Sequence, residues 1–429
     1  MSAPADVRSW LRQRLASGGV ALADQALVSA TNCLTTVIAV RALGLAGFGH
    51  FALLWRCVLL VLGLHQACIR TPMLTIGPKH AGEEARAYYA GLLRLEFVFV
   101  GLVLLAGLLL GGVAARAGGL ELGTGELLAL LACIAARCAQ DFARQRGFAR
   151  EERQRVLALD ALASGLQLAG LVGLGTCGGL TPVRTLLVLA LSNAAAVVGW
   201  GIRERGRAGA PAPLLQVLRR HLGMSRWLVA QALLAWLTTN AFALAAGMLL
   251  GPAALGAIKA GQTVMGFLHV WLLTLENVAP VRAARLVARG AWVELRAFWR
   301  SVHLGGGLAT LVVSGCVALF PGLLARAFYG STSAEQELVI RAFALLYLFV
   351  FAGSVLALRL RTLEHTRSIF LAQALGAGLG TLSARPAVEA WGLNGALAGM
   401  IVQQALVCGV LLAACRRVES EREAQAALT

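Results

Sequence analysis

Along this chain, apolar runs of about twenty residues or more alternate with short polar breaks. Twelve runs can be marked: 19–41, 46–70, 88–112, 124–146, 156–177, 181–202, 225–249, 252–280, 297–320, 338–361, 366–385 and 391–415. A helix rising 1.5 Å per residue crosses about 30 Å of hydrocarbon in roughly twenty residues, so each run is long enough to span a bilayer. The runs lack period-two alternation, which excludes a β-barrel reading. The pattern predicts an all-α polytopic membrane protein of about twelve transmembrane helices.

Composition agrees: 58% of residues are hydrophobic, 14% are charged, and mean hydropathy is +0.74. The net charge of +17 could point to nucleic acid, but its distribution points elsewhere. Most lysines and arginines fall in the N-tail, the even-numbered loops and the C-tail. The opposite side holds only Arg41, Arg116, Arg184, Arg326 and Arg385. By the positive-inside rule both termini are cytoplasmic, and the basic loops face anionic headgroups. All but two of the basic residues are arginine, alongside abundant Ala and Gly; a bacterial plasma membrane is the expected location. The nine cysteines are scattered through apolar segments without CxxC pairing, as small buried hydrophobes would be. No cofactor and no metal site is expected. Arg8, Arg12 and Arg14 precede the first apolar run, which reads as an uncleaved first helix.

The chain repeats itself. "LRQRLA" (11–16) echoes "LRRHLG" (218–223), "QAL" recurs at 25–27 and 231–233, and "ALGLAGFGHFAL" (42–53) echoes "LLGPAALGAIKA" (249–260). The expected layout is an N-terminal six-helix lobe (1–202), a cytoplasmic linker with an interfacial helix (203–224), a C-terminal six-helix lobe (225–415) and a tail (416–429). In the linker, Leu214, Leu218 and Leu222 form one stripe beside Arg219 and Arg220. Six spans is an even number, so the halves share one orientation about a pseudo-twofold axis along the membrane normal.

The opening "ADQALVSATNCLTTVIAVRALGLAGFGHFALLW" resembles the first two helices of Wzx-type polysaccharide exporters, a branch of the multidrug/oligosaccharidyl-lipid/polysaccharide (MOP) superfamily. The closing "GLNGALAGMIVQQALVCGVLLAACRR" resembles that family's last helix. The resemblance implies a MATE-like pair of lobes forming a V. It further implies translocation of a lipid-linked oligosaccharide by alternating access, with membrane lipids and a polysaccharide polymerase or assembly machinery as partners.

Polar residues inside the spans are the candidate site. On the first helix Gln25, Ser29, Asn32 and Thr36 share a face, with Asp24, Thr31 and Thr35 beside it. Such a face either lines a polar interior, where Asn32 and Gln25 would bind substrate, or joins helices by hydrogen bonds. A carboxylate in a span costs about 2.5–3.5 kcal/mol, so Asp24 is a candidate ion-coupling residue, a structural ion-pair partner, or a solvated group near the helix end. Arg56, Lys259, Arg137 and Arg94 are candidate substrate-binding cations, suited to a diphosphate or acidic sugar. The alternative for each is an acid on a neighbouring helix, and Arg137 has Asp141 four residues on. His269, on a stripe with Lys259, Gln262 and Glu276, is either a proton relay or a packing residue. Short outer loops and dispersed histidines argue against a membrane enzyme such as a polymerase. A flippase is therefore expected, with a cation-coupled drug antiporter as the alternative.

Overall fold

The computed structural model describes residues 5–77, 80, 82–116, 123–204, 210–363 and 365–427; some side chains within that range, those of His269 and Glu276 among them, lie outside the described set, as do Arg205 and Arg207 of the linker. Every regular element described is helical. The chain is a multi-pass membrane protein. Among the described residues, eight stretches are long and apolar enough to cross a bilayer.

Two of those stretches are bent. Ala5–His65 breaks at Gly44 (φ 66°, ψ 174°) into α1 (5–43) and α2, which starts at 45 and runs on through a π turn, Gln66–Arg70, to Ile76. The run Thr366–Ala427 breaks at Gly392 (φ 58°). Between them lie α3 (Gly82–Arg116), α4 (Thr124–Ala149), α5 (Arg153–Thr176), α6 (Pro182–Glu204) and α7 (Leu214–Leu250). The helix α8 (Pro252–Val264) is followed by α9 (Gly266–Ala288), and a helix from Trp292 to Leu319 contains a π turn, Val302–Gly306. A short helix, Pro321–Tyr329, precedes Ala334–Thr362. Ser333 caps that last helix by accepting from the Gln336 N–H; Glu335 and Glu337 occupy its first turn and Arg359 and Arg361 its last, each sign placed to suit the helix dipole. The helix α4 falls outside the apolar set because Arg137, Asp141, Arg144 and Arg146 interrupt it.

The described residues form two compact units: the chain to Leu43 with Leu54–Leu233, and Gly44–Leu53 with the chain from Leu234. Within the second unit the repeated glycine motif acquires a physical meaning. Gly44 and Gly251 both take positive φ with ψ 174°, a backbone state that side chains disfavour, and each turns the chain between two helices. Five residues on, Gly49 and Gly256 meet. A Cβ on Gly49 would collide with the Pro252 carbonyl, and one on Gly256 with the Leu45 carbonyl. The contact is reciprocal under the spacing of the repeat.

In the first unit, the start of α7 docks onto α2 and α3. Val217 is buried with Ile69, Met73, Tyr88, Leu92 and Phe142. His221 Nε2 pairs with Tyr88 Oη (2.9 Å), and its Nδ1 with the Cys68 carbonyl (3.0 Å). Leu222, expected on the apolar stripe, is 53% exposed. The buried stripe is Val217, His221 and Ser225, because a helix fixed by Tyr88 and Cys68 turns its face toward them.

A candidate functional site in the first unit

The residues of α4 set the site. Arg137, Gln140, Asp141 and Arg144 recur at steps of three, one and three, so one face of this helix is polar for two turns. Buried in a lobe, that face must find partners for every charge. It does so on four other helices.

Arg144 bridges two carboxylates. Its Nη2 donates to Asp24 Oδ2 of α1 (2.5 Å) and its Nε to Asp160 Oδ2 of α5 (2.6 Å). The acids are buried, with side chains 2% and 1% exposed. Gln140 extends the chain: its Nε2 donates to Asp160 Oδ1 (2.9 Å), and its Oε1 accepts from Arg137 Nη1 (2.6 Å). Arg137 Nη1 also reaches Asn193 Oδ1 of α6 (3.2 Å). A row of charge-assisted bonds therefore runs Asp24, Arg144, Asp160, Gln140, Arg137, Asn193 across α1, α4, α5 and α6. Two guanidiniums face two carboxylates, so the row is formally neutral.

Asp141 does not pair with Arg137. It accepts from Arg70 Nη1 at the end of the π turn (2.6 Å), because its position on α4 points it toward α2. Beside it, His65 Nε2 lies 2.8 Å from Glu96 Oε2 of α3.

A cavity of about 40 Å³ lies along this row, lined by residues including Thr31, Asn32, Arg137, Asp141, Asp160 and Gln167. It can hold one or two waters bridging polar groups and is far too small for a sugar or a diphosphate. Gln167 Nε2 donates to Thr35 Oγ1 (2.7 Å), which ties α5 to α1.

The candidate residues separate accordingly. Asp24, Asn32 and Arg137 belong to this centre, with Asn32 at an exposed position. Among the described side chains of α1, the buried polar positions are Asp24, Thr31, Thr35 and Thr36, whereas Gln25 and Ser29 are half-buried. Arg56 is buried in the same unit, 6% exposed. Lys259 is in the second unit, half-buried, with Nζ 3.5 Å from Gln262 Oε1. Arg94 is exposed on α3 beside Leu93, Phe97 and Val98. On α7, the Thr238 and Thr239 hydroxyls and the Asn240 amide donate to carbonyls of their own helix. The residues that sequence reasoning passed over are Arg144, Gln140, Asn193 and Gln167; the i, i+3, i+7 spacing of Arg137, Gln140 and Arg144 was the available signal. Among the described residues no group of three or more His, Cys, Asp or Glu could hold a metal ion.

No protein-family model matches the sequence, and no curated protein matches it. Solved structures do match the fold. An inward-facing multidrug-resistance MATE-family transporter of the MOP superfamily superposes with a TM-score of 0.75 at 14% identity, over 92% of this chain and 96% of that one. The lipid II flippase MurJ, in an inward closed conformation, gives 0.72 at 9% identity, over 94% and 87%. A MOP superfamily transporter from Pyrococcus furiosus, described as having a binding pocket of reverse polarity, gives 0.60 at 13% identity, over 92% and 93%. The chain therefore has the all-helical fold shared by MATE transporters and the MurJ flippase.

Proposed function

We propose that the protein is a MOP-type transporter, not an enzyme, and that its cargo is a lipid-linked oligosaccharide, a polyprenyl-diphosphate-linked repeat unit moved across a bacterial plasma membrane by alternating access. The observation that carries the transporter reading is the match, over more than nine-tenths of this chain, to both a drug transporter and a lipid flippase. Three features support the cargo. The opening helices resemble Wzx-type exporters. Aromatic residues make up only 7% of the chain, where a drug cavity would be rich in them. Arg56 and Lys259 place cations within the apolar helices, suited to a diphosphate. In this reading both termini are cytoplasmic and a polymerase or assembly complex receives the product.

A second reading is a MATE-like cation-coupled drug antiporter, favoured by the buried acid Asp24 on α1. Arg144 already holds one oxygen of that carboxylate, so a coupling ion at Asp24 competes with a guanidinium. The two readings separate in proteoliposomes. Purified protein should speed the exposure of a polyprenyl-diphosphate disaccharide to a membrane-impermeant glycosidase, and Lys259→Ala should slow it. Efflux of a cationic dye without movement of the lipid-linked sugar would overturn the cargo.

A further inference from the structure

His65 is fully buried on α2, yet only one of its ring nitrogens has a hydrogen-bond partner. Its Nε2 meets Glu96 Oε2 at 2.8 Å. Its Nδ1 has no such partner and lies 3.9 Å from Asp141 Oδ2, the same oxygen that accepts from Arg70 Nη1 at 2.6 Å. One carboxylate oxygen thus has one cation bound and a vacant ring nitrogen about an ångström beyond bonding distance. Histidine is the side chain that gains and loses a proton between pH 5 and 8.

We propose that His65 Nδ1 is a proton-acceptor site whose filling draws Asp141 from Arg70 to the imidazolium and frees the Arg70 guanidinium. The proton comes from water and no covalent bond between heavy atoms changes. With both carboxylates ionised, the group of His65, Glu96, Asp141 and Arg70 passes from one negative charge to none when the proton binds. The groups facing the ring are Glu96 and Phe99 from α3 (ring centroids 5.5 Å apart for Phe99), Asp141 from α4, and Arg70 from the π turn. The Cys138 thiol on α4 lies within electrostatic reach of Glu96, Asp141 and Arg137.

Two features make the exchange mechanically available. The π turn Gln66–Arg70 follows His65 directly and ends at Arg70, so the two competing cations sit at either end of an irregular turn; such turns recur at functional sites. Asp141 also lines the polar cavity beside Arg137 and Arg144, which links the exchange to the charge row that ties α1 to α4, α5 and α6. Freed Arg70, its side chain already 21% exposed, becomes available to an anion at the end of α2. Its use in transport rests on the proposed function; the protonation itself does not.

The test is solid-state NMR of full-length protein, labelled with ¹⁵N-histidine and held in lipid bilayers, at pH 5 and pH 8. The ring signals that His65→Gln removes should read as imidazolium at pH 5 and as neutral ring at pH 8. If that variant does not fold, Glu96→Gln identifies the same signals by displacing them. In Arg70→Gln, Asp141 has lost the cation that holds it, and the ring should stay imidazolium at both pH values. A ring in one charge state at both pH values in the native protein, or an Arg70→Gln ring that titrates like the native one, overturns the proposal. Titration as expected with sugar-lipid transport indifferent to a pH gradient would leave the proton site standing and remove only its coupling role.

Discussion

Among the described residues Arg144 is the cation shared by Asp24 and Asp160, and Arg144→Gln tests whether the charge row holds the first unit together. The variant keeps a side chain of similar length and a hydrogen-bonding end but removes the charge. Two carboxylates, 2% and 1% exposed, then lose their ion partner beside a cavity of about 40 Å³. Removing one member of a buried ion pair costs about 3–5 kcal/mol, chiefly because the remaining charge is stranded. For a unit of roughly 200 residues that corresponds to a fall of about 10 °C in Tm. Thermal unfolding of the purified protein in detergent measures it. The control is the double variant Arg144→Gln, Asp24→Asn, which keeps the row neutral with Arg137 and Asp160 still joined through Gln140 and should recover much of the loss. A fall of under about 2 °C in the single variant, or a double variant no more stable than the single, would refute the reasoning.

Three further outcomes follow from the same structure. Gln140→Leu removes the amide between Arg137 and Asp160, leaving the half-buried guanidinium and the buried carboxylate each short of a partner; it should cost about 1–3 kcal/mol in the same unfolding assay. Gly49→Val and Gly256→Val each drive a Cβ into a facing carbonyl and should destabilise by about 1–3 kcal/mol or more, whereas Gly101→Ala, where nothing lies within 4 Å, should be neutral or slightly stabilising in expression and Tm. Lys259→Ala should weaken binding of a polyprenyl diphosphate to the purified protein, measured by native mass spectrometry, by about tenfold, the scale of one charge-assisted contact.

The helices were legible because hydrocarbon thickness imposes a length on each apolar run, and that length survives any ambiguity about helix ends. The glycine turns were legible in part. The shared spacing of Gly44 with Gly49 and Gly251 with Gly256 marked a repeat, and the positive φ values and reciprocal contact explain why only glycine serves there. Partner choice was the illegible part. Arg137 and Asp141, four residues apart, looked like a pair, yet Asp141 goes to Arg70, 71 residues away, and Asp24 goes to Arg144, 120 residues away. Spacing along one helix tells which side chains share a face; which neighbouring helix that face meets depends on packing between distant segments. For the same reason Arg56 and Lys259, similar in the sequence as mid-span cations, fall in different units.

The central claim is that this fold moves a lipid-linked oligosaccharide. Its most direct measurement is depletion of the protein in the bacterium that produces it, followed by analysis of polyprenyl-linked glycans and of the membrane face on which they are accessible. The account predicts that complete lipid-linked repeat units accumulate on the cytoplasmic face while surface polymer is lost. Normal lipid-linked pools with new sensitivity to cationic drugs, or repeat units already exposed on the outer face, would contradict it.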